Sequence, residues 1–269
     1  MLRTLLIATA LACCTVRSTR AADDLYRAQA VVTGQGETNR FVGFAACLED
    51  VLIKVSGAQQ LAGDPRLAAY KPNARDLVTA YSYHDEMTGR PKHDEQGTRD
   101  RPFDLIVDFD EARIDDTLKT LGLNPWVSHR PVLAVFVEMP RGARNYVITD
   151  DADEAAIQRE SLLAAAARRG MSVVLPSQAA MASLDLNAAK LETTPPAKLA
   201  PVTAQQGGEA VLVGRLVWDD QQPGWATQWR MEWQGQPHQW PVRAVTFDEV
   251  FRQAIGGAAQ ILSGNGDPR

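Results

Sequence analysis

The segment from Glu37 to Ser56 constrains the fold of this chain more than any other. Phe41, Phe44, Ala45, Leu48, Val51, Leu52 and Val55 recur at three- and four-residue intervals and so share one face of a helix. Gly57 follows as the stop, because glycine enters the left-handed conformation that ends a helix without a Cβ penalty. A face that wide must be covered by a sheet, and strand-like runs lie nearby: Leu25 to Thr33 before it, Val78 to Tyr83 and Phe103 to Asp108 after it. Asp64-Pro65 and Pro72-Asn73 open two shorter helices, since proline suits a first helical turn. Ile114, Leu118 and Leu121 mark a further amphipathic helix ended by Gly122. Together these elements form a first lobe over 23–126, with α+β character.

A second lobe is expected over 131–263. Val132 to Val137 is a continuous apolar run, the pattern of a central strand covered on both faces. A short strand at Tyr146 to Ile148 precedes an alanine-rich helix from Ala152 to Arg169 that stops at Gly170. Val173-Val174-Leu175 reads as another buried strand, with Ser177 capping the next helix. Thr193 to Pro201 is proline-rich and reads as a surface loop. Ala210 to Val217 and Trp225 to Trp233 are strands, Phe247 to Leu262 is the closing helix, and 264–269 is a disordered tail. Strands alternating with helices place the chain in the α/β class, as two small lobes, each a mixed sheet packed by amphipathic helices.

The amino terminus has the layout of a secretory signal peptide. Arg3 supplies a positive start, Thr4 to Cys14 is apolar, and small residues surround a cleavage point near Ala21/Ala22, giving a signal peptide over 1–21. The run is too short to span a bilayer, which takes about twenty residues. Export to the periplasm is therefore the expectation, with no transmembrane helix in the mature chain. A lipoprotein signal through Cys13 is the lesser alternative, because Ala10 stands where a branched apolar residue is wanted. Once the leader is removed, Cys47 is the one cysteine left, so no internal disulfide is available. Its place in the apolar helix suits a small buried residue better than a nucleophile.

Charge narrows the partners. The full chain carries −5, and without Arg3, Arg17 and Arg20 about −8. Nucleic-acid binding needs basic faces that displace counterions from phosphates. No Lys/Arg cluster of that kind is present, so nucleic acid is not an expected partner. The partner classes that remain are another envelope protein and a cell-wall component.

Several segments carry a family resemblance: Leu25-Tyr26-Arg27, Val32 to Gly36, LEDVLIKVSG from Leu48 to Gly57, HDEQGTRDRPFDLIVDFD from His93 to Asp110, and EAVLVGRL from Glu209 to Leu216. Together they resemble the domain-of-unknown-function 2066 family. The resemblance implies a proteobacterial envelope protein and carries no catalytic or binding residues across. The second lobe also resembles the small α/β domains of periplasmic assembly proteins, such as the amino-terminal domain of the Tol system's propeller protein, by fold-level analogy alone.

Three constellations invite a chemical reading. His84-Asp85-Glu86 and His93-Asp94-Glu95 flank a turn-like segment, and a His84/His93 hairpin with His93, Glu95 and Asp100 is the candidate for a metal-dependent hydrolase. Successive strand residues point to opposite faces, which favours a solvated loop instead. Arg99 and Arg101 are candidates for clamping an anionic ligand, against local ion pairing. Asp104, Asp108 and Asp110 alternate with apolar residues and read as a solvated strand face. Trp225, Trp229 and Trp233 project from one face of one strand, either as a platform for a glycan or as core beneath the closing helix. Asp150, Asp151, Asp153 and Glu154 read as caps of the helix they precede. No P-loop, dinucleotide fingerprint or nucleophile elbow occurs, and no cofactor is called for. The reading that follows is a non-catalytic envelope module for binding or assembly. The metal hydrolase and the glycan binder are its alternatives.

Overall fold

The computed structural model describes residues 25–85, 101–141 and 144–268. The expected signal peptide and Cys13 lie outside them. So do His93, Glu95, Arg99 and Asp100, and with them the metal-hairpin alternative. Two sheets are present. The first contains β1 (Arg27–Thr33), β2 (Val78–His84) and β3 (Pro102–Phe109) in the order β1-β3-β2. Both of its pairings are antiparallel, so this sheet is not mixed as expected. One face packs on α1 (Glu37–Ser56) and α2 (Glu111–Thr120), which share its apolar core.

The second sheet has six strands: β4 (Leu133–Arg141), β5 (Arg144–Val147), β6 (Val173–Val174), β7 (Ala210–Asp219), β8 (Gly224–Trp233) and β9 (Gln236–Ala244). Its path runs β5-β4-β7-β8-β9, with β6 beside the start of β4. β4 pairs in parallel with β6 and β7, and the remaining pairings are antiparallel, so this sheet is mixed as expected. Leu133, Val135 and Val137 face α3 (Ala156–Arg168) and α7 (Phe247–Leu262). Ala134 and Phe136 face α4 (Gln178–Ser183), α5 (Ala188–Thr193) and α6 (Pro196–Thr203). A strand buried on both faces has no reason to alternate, which explains the uninterrupted apolar run. The chain is thus of the α/β class, with a three-layer second half.

Several local expectations are corrected. The proline-rich stretch taken for a surface loop contains α6, with Pro196 in its first turn and Leu199 buried against the sheet. The residues after Trp233, assigned no element from sequence, form β9, an edge strand in which the missing N–H groups of Pro237 and Pro241 cost no ladder bond on the open side. Gln234 and Gly235, both at positive φ, make the two-residue turn that joins it to β8. Asp151 caps α4, accepting from the Gln178 amide at 3.0 Å, and not the helix that follows it in sequence. The tail expected to be disordered is tied down: Asn265 donates to the Ser56 carbonyl at 2.9 Å and Asp267 meets His238.

α1 joins the two halves. The amphipathic reading assigned it one buried face, yet every residue from Asp50 to Ser56 is buried, while Phe41 near its start is 39% exposed. The last two turns are enclosed by the first sheet on one side and the second half on the other. A helix buried all round reads as apolar all round, and the run Val51-Leu52-Ile53 is that signal. The carbonyls at its carboxyl end need donors. Arg130 supplies them, donating to the carbonyls of Lys54 at 2.7 Å, Trp126 at 2.9 Å and Arg169 at 3.0 Å. Its guanidinium stacks on Trp126, 4.3 Å from the ring centroid. One cation therefore serves the carboxyl ends of two helices, where the peptide dipoles favour positive charge.

Arg130→Met removes these donors at similar length. It is expected to lower unfolding free energy by about 3 kcal/mol in urea titration, as buried acceptors lose charge-assisted bonds. Arg130→Lys is expected to recover part of the loss.

Candidate functional site

A groove of about 640 Å³ runs between the free edge of β1 and α3. Arg27, Ala28, Gln29, Ala30 and Val31 form one wall, Ala164, Ala167 and Arg168 the other, and Asp50 and Lys54 of α1 contribute to its lining.

The register of β1 determines what this edge offers. Arg27 stands opposite Asp108 in an antiparallel pairing, the Phe109 amide donates to the Tyr26 carbonyl, and the Gly34 amide donates to the Arg101 carbonyl. Residues 26, 28, 30, 32 and 34 therefore direct their backbone groups to β3, and 27, 29, 31 and 33 direct theirs outward. Two of the outward carbonyls are taken: Lys54 Nζ donates to that of Arg27 at 2.7 Å, and Asn39 donates to that of Thr33. Between these two caps lie Gln29 and Val31. The amides and carbonyls of both face the open edge, and Val31 is 71% exposed. A row of outward backbone groups is a template for another strand.

The groove persists because α3 is anchored beside it. Asp50, 6% exposed, accepts from Arg168 Nε at 3.0 Å and from Arg169 Nη1 at 3.1 Å. Arg169 Nε reaches Gln59 at 3.0 Å. Burial holds the guanidinium of Arg169 below its usual range, with Asp50 opposing that shift. Removing either partner of such a buried pair strands a charge, which makes the anchor rigid. Small residues on both walls then leave the space between β1 and α3 unfilled.

The residues singled out from sequence fall elsewhere. Arg101 pairs with Asp85 at 2.7 Å, a local ion pair at the base of the β2–β3 connection. His84 stands opposite Asp104 across β2 and β3, and no group of three or more His, Cys, Asp or Glu side chains converges among the described residues. Asp104 is buried, Asp108 pairs with Arg27 at 2.5 Å, and Asp110 caps α2, so these three do not form one solvated face. Trp229 is fully buried: its indole N–H donates to Thr227 Oγ1 at 2.9 Å, and its ring meets Phe251 and lies over Gly214. Any Cβ at Gly214 would fall 2.3 Å from that ring. Trp225 and Trp233 are half-buried at the ends of the row. A three-ring platform is therefore unavailable, because its central ring belongs to the core.

Sequence reasoning passed over Glu138. It lies towards the carboxyl end of parallel β4, the end at which α/β sheets commonly hold ligands. Its side chain is 1% exposed, Asn145 donates to Oε1 at 3.1 Å, and Arg215 stands 3.7 Å from Oε2. Oε2 has no hydrogen-bond partner among the described residues. Arg215 instead binds Glu192 at 2.8 Å. The only sequence signal was one carboxylate interrupting the apolar run of β4.

Burial pushes the Cys47 thiol up to about 12. It is expected to resist iodoacetamide in the native protein at pH 8 and to label fully in denaturant, as mass spectrometry would record. Burial also raises the Glu138 carboxyl above its ordinary 4.5. The folded state then binds this proton more tightly than the unfolded chain, so the contribution is present below pH 4.5 and lost as pH rises through the raised value. Glu138→Gln is expected to leave melting at pH 7 unchanged or higher and to flatten the decline above pH 4.5. A lower melting temperature at pH 7 would show that the charge is stabilising.

Comparison with known proteins corrects the family resemblance. The model that matches, over residues 20–127, is described as Domain of unknown function (DUF8605) and not as the 2066 family. No curated protein and no solved structure matches the chain. The matched segment takes in the whole first sheet with α1 and α2 and stops just after Trp126, so the groove's β1 wall lies within it and its α3 wall outside.

Proposed function

We propose that this chain is an exported, non-catalytic assembly module of the cell envelope that holds an extended segment of another protein along the edge of β1. The observation that carries this reading is the window at Gln29 and Val31. Four backbone groups there lie between two side-chain caps, beside a groove with alanine walls. No partner for those groups lies among the described residues, and strand addition to a sheet edge is a recurrent way of recognising peptides. Export rests on the leader-like first 21 residues. Among the described residues no helix is long and apolar enough to cross a membrane.

Val31→Pro tests the reading with little cost to the fold, since the amide it deletes points away from β3. A photo-reactive side chain in place of Gln29, in cells, is expected to give one discrete cross-linked product, and Val31→Pro is expected to reduce its yield at least about tenfold with the melting temperature nearly kept. In hydrogen exchange, the Gln29 and Val31 amides are expected to exchange fast in the free protein and slowly in the cross-linked complex. An adduct unaffected by Val31→Pro removes the strand-addition reading, and intact leader residues on cytosolic protein remove the envelope assignment.

A further inference from the structure

We infer that the cleft between β9, α7 and the turn at Gln59–Leu61 takes an N-acetylated saccharide, independently of the strand-addition reading. The cleft measures about 430 Å³, within the range of small-molecule sites. Gln59, Gln60, Gln253 and Gln260 line it together with Trp240 and Pro268. Its one ionisable lining residue, Glu249, pairs with Arg252 at 2.5 Å, so a charged ligand finds no counter-ion there. Existing hydrogen bonds fix which end of each amide remains available. Gln260 is engaged at both ends: Oε1 accepts from the Gln60 amide at 2.8 Å, and Nε2 donates to the Asp267 carbonyl at 2.9 Å. Gln59 Oε1 accepts at 3.0 Å from Arg169 Nε, which can only donate, so the N–H groups of Gln59 are the ones left. Gln253 Nε2 donates to Glu249 Oε1 at 2.9 Å, which leaves the Gln253 carbonyl oxygen as an acceptor. Two glycines in the middle of α7 make room for these walls. A Cβ on Gly256 would fall 2.0 Å from Gln59 Oε1, and one on Gly257 would fall 2.8 Å from Trp240 Nε1.

Trp240 points to an acceptor on the ligand. It is 2% exposed, and its indole N–H has no hydrogen-bond partner among the described residues. A buried donor left unpaired loses its hydration without return. The point that a Gly257 Cβ would occupy, 2.8 Å from Nε1, is also 3.0 Å from Pro268 Cγ, so the proline ring is the neighbour of that N–H. The ring carries no acceptor. A ligand carbonyl that displaces Pro268 would complete the donor. Donors and acceptors thus meet in one cleft with the apolar surface of Val242 and Ala62. A pyranose matches this mixture, because its hydroxyls both donate and accept while its C–H faces lie on apolar groups. An apolar ligand would strand the amides. An extended peptide offers only one main-chain donor and one acceptor for each advance of about 3.4 Å. On the saccharide, the acetamido carbonyl is the acceptor for Trp240, and its methyl group suits Val242.

The test is isothermal titration calorimetry on the full chain with three probes: diacetylchitobiose, cellobiose, which carries hydroxyls in place of the acetamido groups, and N-acetyl-dialanine amide. Diacetylchitobiose is expected to bind with a Kd below about 1 mM. Cellobiose is expected to bind at least about tenfold more weakly, since it leaves the indole N–H unpaired. The peptide is expected not to bind. Gln253→Met is expected to weaken diacetylchitobiose about fivefold or more with the melting temperature nearly kept. Trp240→Phe is expected to bring it down to the level of cellobiose. Pro268→Gly, which uncovers the N–H, is expected to tighten it about threefold. No binding of diacetylchitobiose, or binding that Gln253→Met leaves unchanged, overturns the site. Equal binding of the two disaccharides, no loss with Trp240→Phe or no gain with Pro268→Gly overturns the acetamido contact with Trp240. A peptide that binds as tightly as diacetylchitobiose overturns the saccharide assignment. Val31→Pro is expected to leave every one of these affinities unchanged, which separates this site from the β1 edge.

Discussion

The guanidinium of Arg130 ties the two halves of this protein together at the carboxyl end of α1. Arg130 has no carboxylate among its hydrogen-bond partners. It answers main-chain carbonyls at the carboxyl ends of α1 and α3 and sits over the Trp126 ring. Those carbonyls have no partner within their own helices. Burial brings the pKa of this cation down to about 10. The cost is tolerated because several strong acceptors converge where only a planar, multi-donor group can meet them all.

The second constraint follows from the first. With the end of α1 clamped, Asp50 one turn earlier faces Arg168 and Arg169, and that cluster fixes α3 alongside β1. α3 is therefore held near the strand edge without covering it. The groove is a product of this anchoring: alanines on both walls would let the elements close together, but the buried ion cluster keeps them apart. The open window at Gln29 and Val31 and the groove beside it both depend on the same few contacts.

The core was largely legible in sequence. The span of α1, its glycine stop, the two-sided burial of β4 and the closing helix follow from local periodicity and chain punctuation. The failures were local rules overruled by position in the fold. Pro237 and Pro241 argue against a strand, but β9 is an edge strand, where proline costs little. Pro196 and Pro201 suggested a loop, while Leu199 needed a helix to reach the sheet. Asp151 was assigned to the nearest helix in sequence and caps one that arrives a full strand later. The tryptophan row was read as one strand face, more as core beneath the closing helix than as a platform, and the contact of Trp229 with Phe251 of α7 places that ring in the core.

The candidate site was not legible. Its parts, Arg27 to Val31, Asp50 and Lys54, Ile106, and Ala164 to Arg168, come from four segments far apart in sequence, and none forms a motif. Alternation alone predicted β1, but not that it would end at an edge, because strand order depends on which partners arrive. The amino-acid order by itself determined which stretches would be helix or strand and which faces would be apolar, since these follow from side-chain spacing along one element. Only the tertiary structure decided which backbone groups stay open and which charges gather, since both depend on the contacts that elements distant in sequence make once packed.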